Sequence, residues 1–276
     1  PVPATAERNT PLGVRFRIST DLDFMANMLP TGMANNGEVE DYMVQVVAYD
    51  WGDLRDNNIA GDYPTNAANG GGEGVGPSHR IVDGLKIGDE IDFESDGQPA
   101  TTANGDDTDQ TPDDEDGVTL PAFFVAGTMG VTVPVNVMNM MTPGANATLY
   151  GFIDFNNNGV LNDAGETASI SVLNGTNSVV NLTFNVPANA VLNTFVGARF
   201  RLSTYPVAAL PVGRADDGEV EDYRVEIRDF DWGDLPDLAV GAATGDYRTN
   251  AADNGPRHRL GYGIKFGALV DGETDG

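Results

Sequence analysis

Asp154, Asn156 and Asn158, followed by Gly159, Val160, Asp163 and Glu166, have the spacing of a loop that wraps a hard cation. In such a loop, oxygen donors at positions 1, 3 and 5, a glycine at 6 and a backbone carbonyl at 7 converge on one ion. The carbonyl here is that of Val160, and Asp163 or Glu166 closes the shell. Position 12, where a standard calcium loop ends in glutamate, holds Gly165, with Glu166 one residue later. Strand-like flanks set the loop in a β-hairpin and not between helices. An Asn/Gly turn without metal is the competing reading of the same residues.

Two further acidic sets have the chemistry of ion sites. In GEVEDY at 218–223, Tyr223, Val225 and Ile227 share one face by period two, and Glu219 and Glu221 extend that face. Carboxylates in line with a core face are costly unless neutralised. A bound cation would do this, as would salt bridges to Arg199 and Arg201, and both readings stand. The third set is Asp231 and Asp234 with Asp237, together with Asp271, Glu273 and Asp275; its counterpart is Asp50, Asp53, Asp92, Glu94 and Asp96. Carboxylates at i, i+2 and i+4 lie on one side of an extended chain. They can converge on an ion or form a solvated acidic edge, and acidic residues within 106–116 can join them. Calcium is the cofactor these sets lead one to expect.

The elements that must position these residues occur twice. GEVEDY at 218–223 is already present at 37–42, and Asp-Trp-Gly-Asp-Leu at 50–54 returns at 231–235. Arg-Phe-Arg at 15–17 matches 199–201, Gly-Asp-Tyr at 61–63 matches 245–247, and His79-Arg80 matches His258-Arg259. Domain-sized repetition of this kind indicates a tandem array. Residues 1–97 align with 185–276, so the chain reads as one complete unit preceded by the last half of another. The expectation is an internal or processed piece of a longer protein.

From residue 118 the pattern is that of strands. Val131, Val133, Val135 and Val137 alternate with their neighbours, and further strands are expected near 118–125, 147–153, 167–172, 178–186, 196–204 and 220–228. Short strands separated by Gly, Asn and Pro turns predict an all-β fold: antiparallel β-sandwich repeats, immunoglobulin-like or Greek-key in kind. Gly/Asp-rich segments with repeated aromatics predict compact connector modules between them. The predicted divisions are a half-sandwich at 1–47, a connector at 48–97, an acidic linker at 98–117, a sandwich at 118–228 and a second connector at 229–276. Two strands alone seldom fold stably in water, so the half-sandwich calls for completion by a preceding repeat or another subunit.

Composition narrows the function classes. The net charge is −27 with 15 basic residues, only two of them lysines, which argues against nucleic acid and anionic membranes as partners. No apolar run approaches the roughly 18 residues a spanning helix needs. The chain has no cysteine, so neither disulfides nor thiolate metal sites arise. Neither a Ser-hydrolase elbow, a zinc-protease helix nor a nucleotide-binding loop occurs, and an enzyme is not expected. The two histidines, His79 and His258, sit in matching contexts, which suits structural hydrogen bonding better than catalysis. Trp51 and Trp232 read as connector cores ahead of sugar platforms.

With GEVEDY and the DWGDL…GDY…HR order in view, the chain resembles the GEVED-domain family of bacterial secreted and cell-surface multi-repeat proteins. That resemblance implies an extracellular or cell-surface protein, dependent on calcium, with an adhesive or structural role. The expected function is a structural repeat of a calcium-stabilised surface fibre, filament or stalk, whose partners are copies of itself or adjacent repeats end to end. The rival is an adhesin module that recognises a surface glycan or protein; it requires an exposed aromatic patch or cleft.

Overall fold

The computed structural model describes residues 6–27, 29–57, 62–67, 76–105, 114–238, 240–241 and 244–276. Much of the predicted acidic linker, 106–113, lies outside the described residues. The chain divides into two compact units, 1–48 and 49–276.

The first unit is a hairpin. Strand β1 (Pro11–Ile18) pairs antiparallel with β2 (Glu38–Gln45), and a short helix α1 (Leu22–Asn27) lies in their connection. The alternation that would bury one face of this hairpin is present, but Phe16, Ile18, Tyr42 and Val44 on that face are all exposed.

The second unit opens with three short strands, β3 (Tyr49–Trp51), β4 (Ser78–Arg80) and β5 (Leu85–Ile87). The sandwich strands follow: β6 (Phe124–Val125), β7 (Val131–Asn139), β8 (Ala147–Ile153), β9 (Thr167–Val172), β10 (Thr176–Phe184), β11 (Phe195–Ser203), β12 (Arg214–Ala215) and β13 (Glu219–Arg228). Strands β14 (Phe230–Trp232) and β15 (Arg257–Arg259) form a separate ribbon near the end of the chain. One face of the sandwich is the five-stranded sheet β6-β13-β11-β8-β9, and the other is β10-β7-β5.

The fold is all-β and antiparallel in its main pairings, as the period-two patterning predicts. Val133, Val135 and Val137 on β7 meet Leu149, Phe200, Leu202, Val225 and Ile227 from the opposite sheet in one buried core. Phe155 links the two layers, edge-on to Phe124 and Phe184. Burial of each such side chain contributes about 1.5–3 kcal/mol.

Strand β5 comes from the segment read as a connector, yet it completes the second sheet of the sandwich. Leu85 and Ile87 are fully buried in the core, and the strand pairs with β7 through Leu85↔Asn139 and Ile87↔Val137. Strand β5 therefore gains its burial from the sandwich, whereas β3 and β4 pair with each other.

Candidate docking and metal site

The side chains and amides of GEVEDY in β13 and its preceding turn reach the segment that precedes the sandwich. Gly218 has φ of 91°, and a Cβ there would fall 1.7 Å from the carbonyl oxygen of Leu202, so only glycine fits this approach. Glu219 accepts the backbone N–H of Ile87, which fixes β5 to the end of the core. The N–H of Val220 donates to Asp50 Oδ2 at 2.6 Å. Glu221 accepts from Gly117 N at 3.0 Å and from the Tyr223 hydroxyl at 3.1 Å. Asp222 Oδ2 accepts the N–H groups of Asp53 and Leu54 at 2.8 and 2.9 Å. Val118 N in turn donates to the Tyr223 oxygen at 3.3 Å.

Neighbouring β11 supplies two buried arginines that complete this seat. Arg199 pairs bidentately with Asp222 and donates to the carbonyls of Pro64 and Pro211 at 3.0 and 2.8 Å. Arg201 donates to the carbonyls of Leu210, Val212 and Gly213 and, through Nε, to His79 Nε2 at 2.9 Å. The His79 ring therefore carries its proton on Nδ1, which donates to Asp217 O at 2.8 Å. Burial, with Arg201 beside it, holds His79 well below its ordinary pKa, so the ring stays neutral. Salt bridges from Arg199 and Arg201 to Glu219 and Glu221, one of the two readings drawn from sequence, are not formed. The arginines project from the opposite face of the sheet, where Asp222 and His79 meet them.

Glu219 and Glu221 extend the core face and have no arginine beside them. Both are fully buried, and burial pushes both well above the ordinary carboxyl range. Asp50 and Asp114 are buried beside Glu219; burial and then the charges of Glu94, Glu219 and Asp114 raise Asp50 strongly. Burial pushes Glu94 up to about 11, with Asp92 and Asp114 adding to the effect. Glu219 Oε1, Glu94 Oε1 and Asp92 Oδ1 are buried oxygens with no hydrogen-bond donor. Orphaned oxygens of this kind are what a hard cation would satisfy, but no three carboxylates of this set lie within 4.8 Å of one another. Asp53 faces away from this group, accepting Gly105 N at 2.7 Å, and Asp96 accepts Ala67 N at 2.6 Å.

In the second connector the corresponding acids come closer together. Carboxylate oxygens of Asp231, Asp271 and Glu273 lie within 4.8 Å of one another, the one such group among the described residues. Glu273 also accepts Trp232 N at 3.0 Å, as Glu94 accepts Trp51 N at 2.9 Å. Asp234 is exposed, and Asp275 accepts Ala251 N.

The Asp154 loop is internally satisfied. Asp154 accepts from Asn158 N, Gly159 N and the Tyr63 hydroxyl at 3.1, 2.9 and 3.0 Å. The amide groups of Asn156 and Asn158 both donate to Asp163 Oδ2, Asn158 Oδ1 accepts Val160 N, and Glu166 accepts Asp163 N at 3.0 Å. Glu166 is buried, and that burial lifts it to about 7. Asp154, Asn156, Asn158, Asp163 and Glu166 thus form one loop, which is tied to the rest of the protein by the connector's Tyr63 and by Val191 N, which donates to Phe155 O at 2.8 Å.

Strands β8 to β13, with Gly218 to Tyr223 near their close, make up the segment that a family model matches. Residues 148–226 are a GEVED domain: the model of that family matches this segment. No curated protein and no solved structure matches the chain. Glu219 and Asp222, which accept connector amides, lie in the GEVED domain, whereas Asp50, Tyr63, His79 and Ile87 lie before it in sequence. Sequence reasoning missed Asp222 and Asp217; the joint recurrence of Arg-Phe-Arg (15–17 and 199–201) and GEVEDY (37–42 and 218–223) is the signal that could have found the Arg199–Asp222 pair. Trp51 and Trp232 are both buried in their connectors. Among the described residues no helix is long and apolar enough to cross a membrane.

Proposed function

We propose that this chain is a structural repeat of an extracellular, calcium-stabilised surface fibre, filament or stalk. The observation that carries this reading is the seating of Asp50, Asp53, Leu54 and Ile87 on the last strand of the GEVED domain through buried carboxylates. Asp50, Glu94 and Glu219 lie where a connector joins a sandwich, near enough for the charges of Glu94 and Glu219 to act on Asp50, and two of them present donorless buried oxygens. Ionised without a counter-charge, such a junction would push itself apart. A calcium ion would bind the connector to the sandwich and stiffen the joint, so the mechanism is mechanical. Burial of both tryptophans supports this reading over an adhesin that grips a ligand with an exposed aromatic.

Thermal unfolding with calcium and with EGTA, followed by electron microscopy of the same samples, tests it. The expected result is a large calcium-dependent rise in the midpoint, with straight particles lost in EGTA. An unchanged midpoint with unchanged particles would sink the calcium mechanism.

A further inference from the structure

Arg224 is a cation that the connector–sandwich joint does not use. It lies on β13 two residues beyond Asp222, hence on the same face of the sheet, and opposite Gly197 of β11. Its guanidinium stands 4.8 Å from the centre of the Phe195 ring. In a chain with 42 acidic side chains it makes no ion pair among the described residues. Arg55 approaches it from the connector, where it pairs with Asp62 at 2.5 Å. Burial, and then the nearby charge of Arg55, hold Arg224 below its ordinary value.

Both guanidinium residues line a cleft of about 130 Å³ between connector and sandwich. The buried Tyr63 ring closes over Gly197, where a Cβ would fall 2.6 Å from it, and its hydroxyl is taken up by Gly197 N and Asp154. Thr101, Thr194 and Asn157 also line the cleft. So does Phe195, the one exposed residue of a strand that is buried from Val196 to Ser203.

Repetition separates what the joint needs from what this cleft adds. Leu54, Tyr63 and Gly197, which seat the connector, recur as Leu235, Tyr247 and Gly13. Arg55, Phe195 and Arg224 do not recur: Pro236, Pro11 and Met43 stand in their places. The two guanidiniums and the exposed ring belong to this copy, so the architecture of the repeat does not require them.

We propose that this cleft binds the carboxylate of an acidic saccharide. Planar guanidinium forks suit a carboxylate, and two of them on one small cleft give an anion its counter-charge. The hydroxyls of Thr101 and Thr194 and the amide of Asn157 both donate and accept, which suits the hydroxyls of a sugar beside its carboxylate. Phe195 adds an apolar surface for the carbon face of the ring. The volume admits a carboxylate with one edge of a sugar, not a length of chain. A net charge of −27 repels a polyanion along its whole length, so a single acidic unit at the end of a glycan fits where an acidic polymer or acidic peptide does not. This inference goes beyond the fibre reading and does not rest on it.

Titration of the full chain, followed by the amide resonances of its NMR spectrum, tests the proposal. The probes are methyl glucuronide and a methyl sialoside, with methyl glucoside and acetate as references. Saturable shifts centred on Phe195, Gly197 and Arg224 are expected with at least one acidic glycoside, and binding of both references weaker by about tenfold or more. Arg224→Gln alters an exposed side chain, so its thermal midpoint should stay in place while affinity falls by about ten- to a hundredfold. Four results overturn the proposal. They are no saturable shift with either acidic glycoside, the neutral glycoside binding equally well, acetate binding as tightly as the saccharides, and an affinity that Arg224→Gln leaves unchanged. The titration is indifferent to EGTA thermal data, so failure of the calcium-stiffened fibre leaves the cleft standing, and failure of the cleft leaves the fibre.

Discussion

Arg199 on β11 and Asp222 on β13 face each other in register, joined by two 2.7 Å contacts, with both side chains fully buried. The second oxygen of Asp222 is shared with two connector amides, so one carboxylate holds the sheet and the connector together. The pair Arg15–Asp41 has the same geometry in solvent. Asp222→Ala leaves a buried guanidinium without its partner and is expected to cost about 3–5 kcal/mol. Asp41→Ala should not measurably change the stability of the chain. Urea unfolding of the two variants checks the contrast, and equal effects would contradict it.

His79 and His258 provide a second contrast. His79 is the neutral acceptor for the buried Arg201 and the donor to Asp217 O. Its removal leaves a charged donor unsatisfied inside the protein, at a cost of about 1–3 kcal/mol or more. His258→Ala touches an exposed ring and should leave the thermal midpoint where it is. Calorimetry of His79→Ala and His258→Ala reads the first effect directly; a stable His79→Ala protein would remove the joint's claim to be a structural latch.

Gly52 and Gly233 occupy the same place in the two DWGDL copies. A Cβ on Gly52 would lie 2.3 Å from Asp222 Oδ2, which its arginine holds in place, whereas on Gly233 the nearest neighbour, Pro256 Cγ, is 3.5 Å away. Gly52→Ala should therefore destabilise by about 1–3 kcal/mol, as overpacking does, and Gly233→Ala should be tolerated. The same denaturation series measures both, and a tolerated Gly52→Ala would mean that Asp222 is free to move.

Much of this arrangement was legible in the residues, and the illegible part has a physical cause. Alternation along 131–137 showed which face of β7 is buried, and the period-two line from Glu219 to Ile227 placed two carboxylates at the end of the core. Repetition revealed that Asp50, Tyr63 and His79 belong to one module. Which acid meets which arginine was hidden, because Arg199 and Asp222 lie on the face opposite Glu221 and are brought together only by the β11–β13 register. Strand β5 was hidden as well: three residues, Leu85–Ile87, are too short for a period to show, and their burial comes from β7, some fifty residues later. The Asp154 loop announced itself by spacing, but spacing could not show that Tyr63 would take one of its oxygens.

Calcium and protons are expected to compete at the joint between connector and sandwich. Burial raises Asp50, Glu219 and Glu221 well above their ordinary values and Glu94 to about 11 from an ordinary 4.5. A carboxyl that holds its proton more tightly folded than unfolded adds stability below the unfolded value, and that stability is lost as pH rises through the folded one. For Glu94 the window runs from about 4.5 to about 11, so it includes neutral pH. In EGTA the thermal midpoint should therefore fall steadily as pH is raised across the neutral range. Calcium supplies the missing counter-charge to the ionised form, so in its presence the slope should flatten and the calcium-induced shift should grow with pH. At a hundredfold excess over its dissociation constant, one such site adds about 2.7 kcal/mol. Midpoints recorded against pH in both conditions decide the matter. A midpoint in EGTA that rises with pH would show these carboxylates to be stabilised in their charged form by the protein alone, and would take away the reason for a cation at this joint.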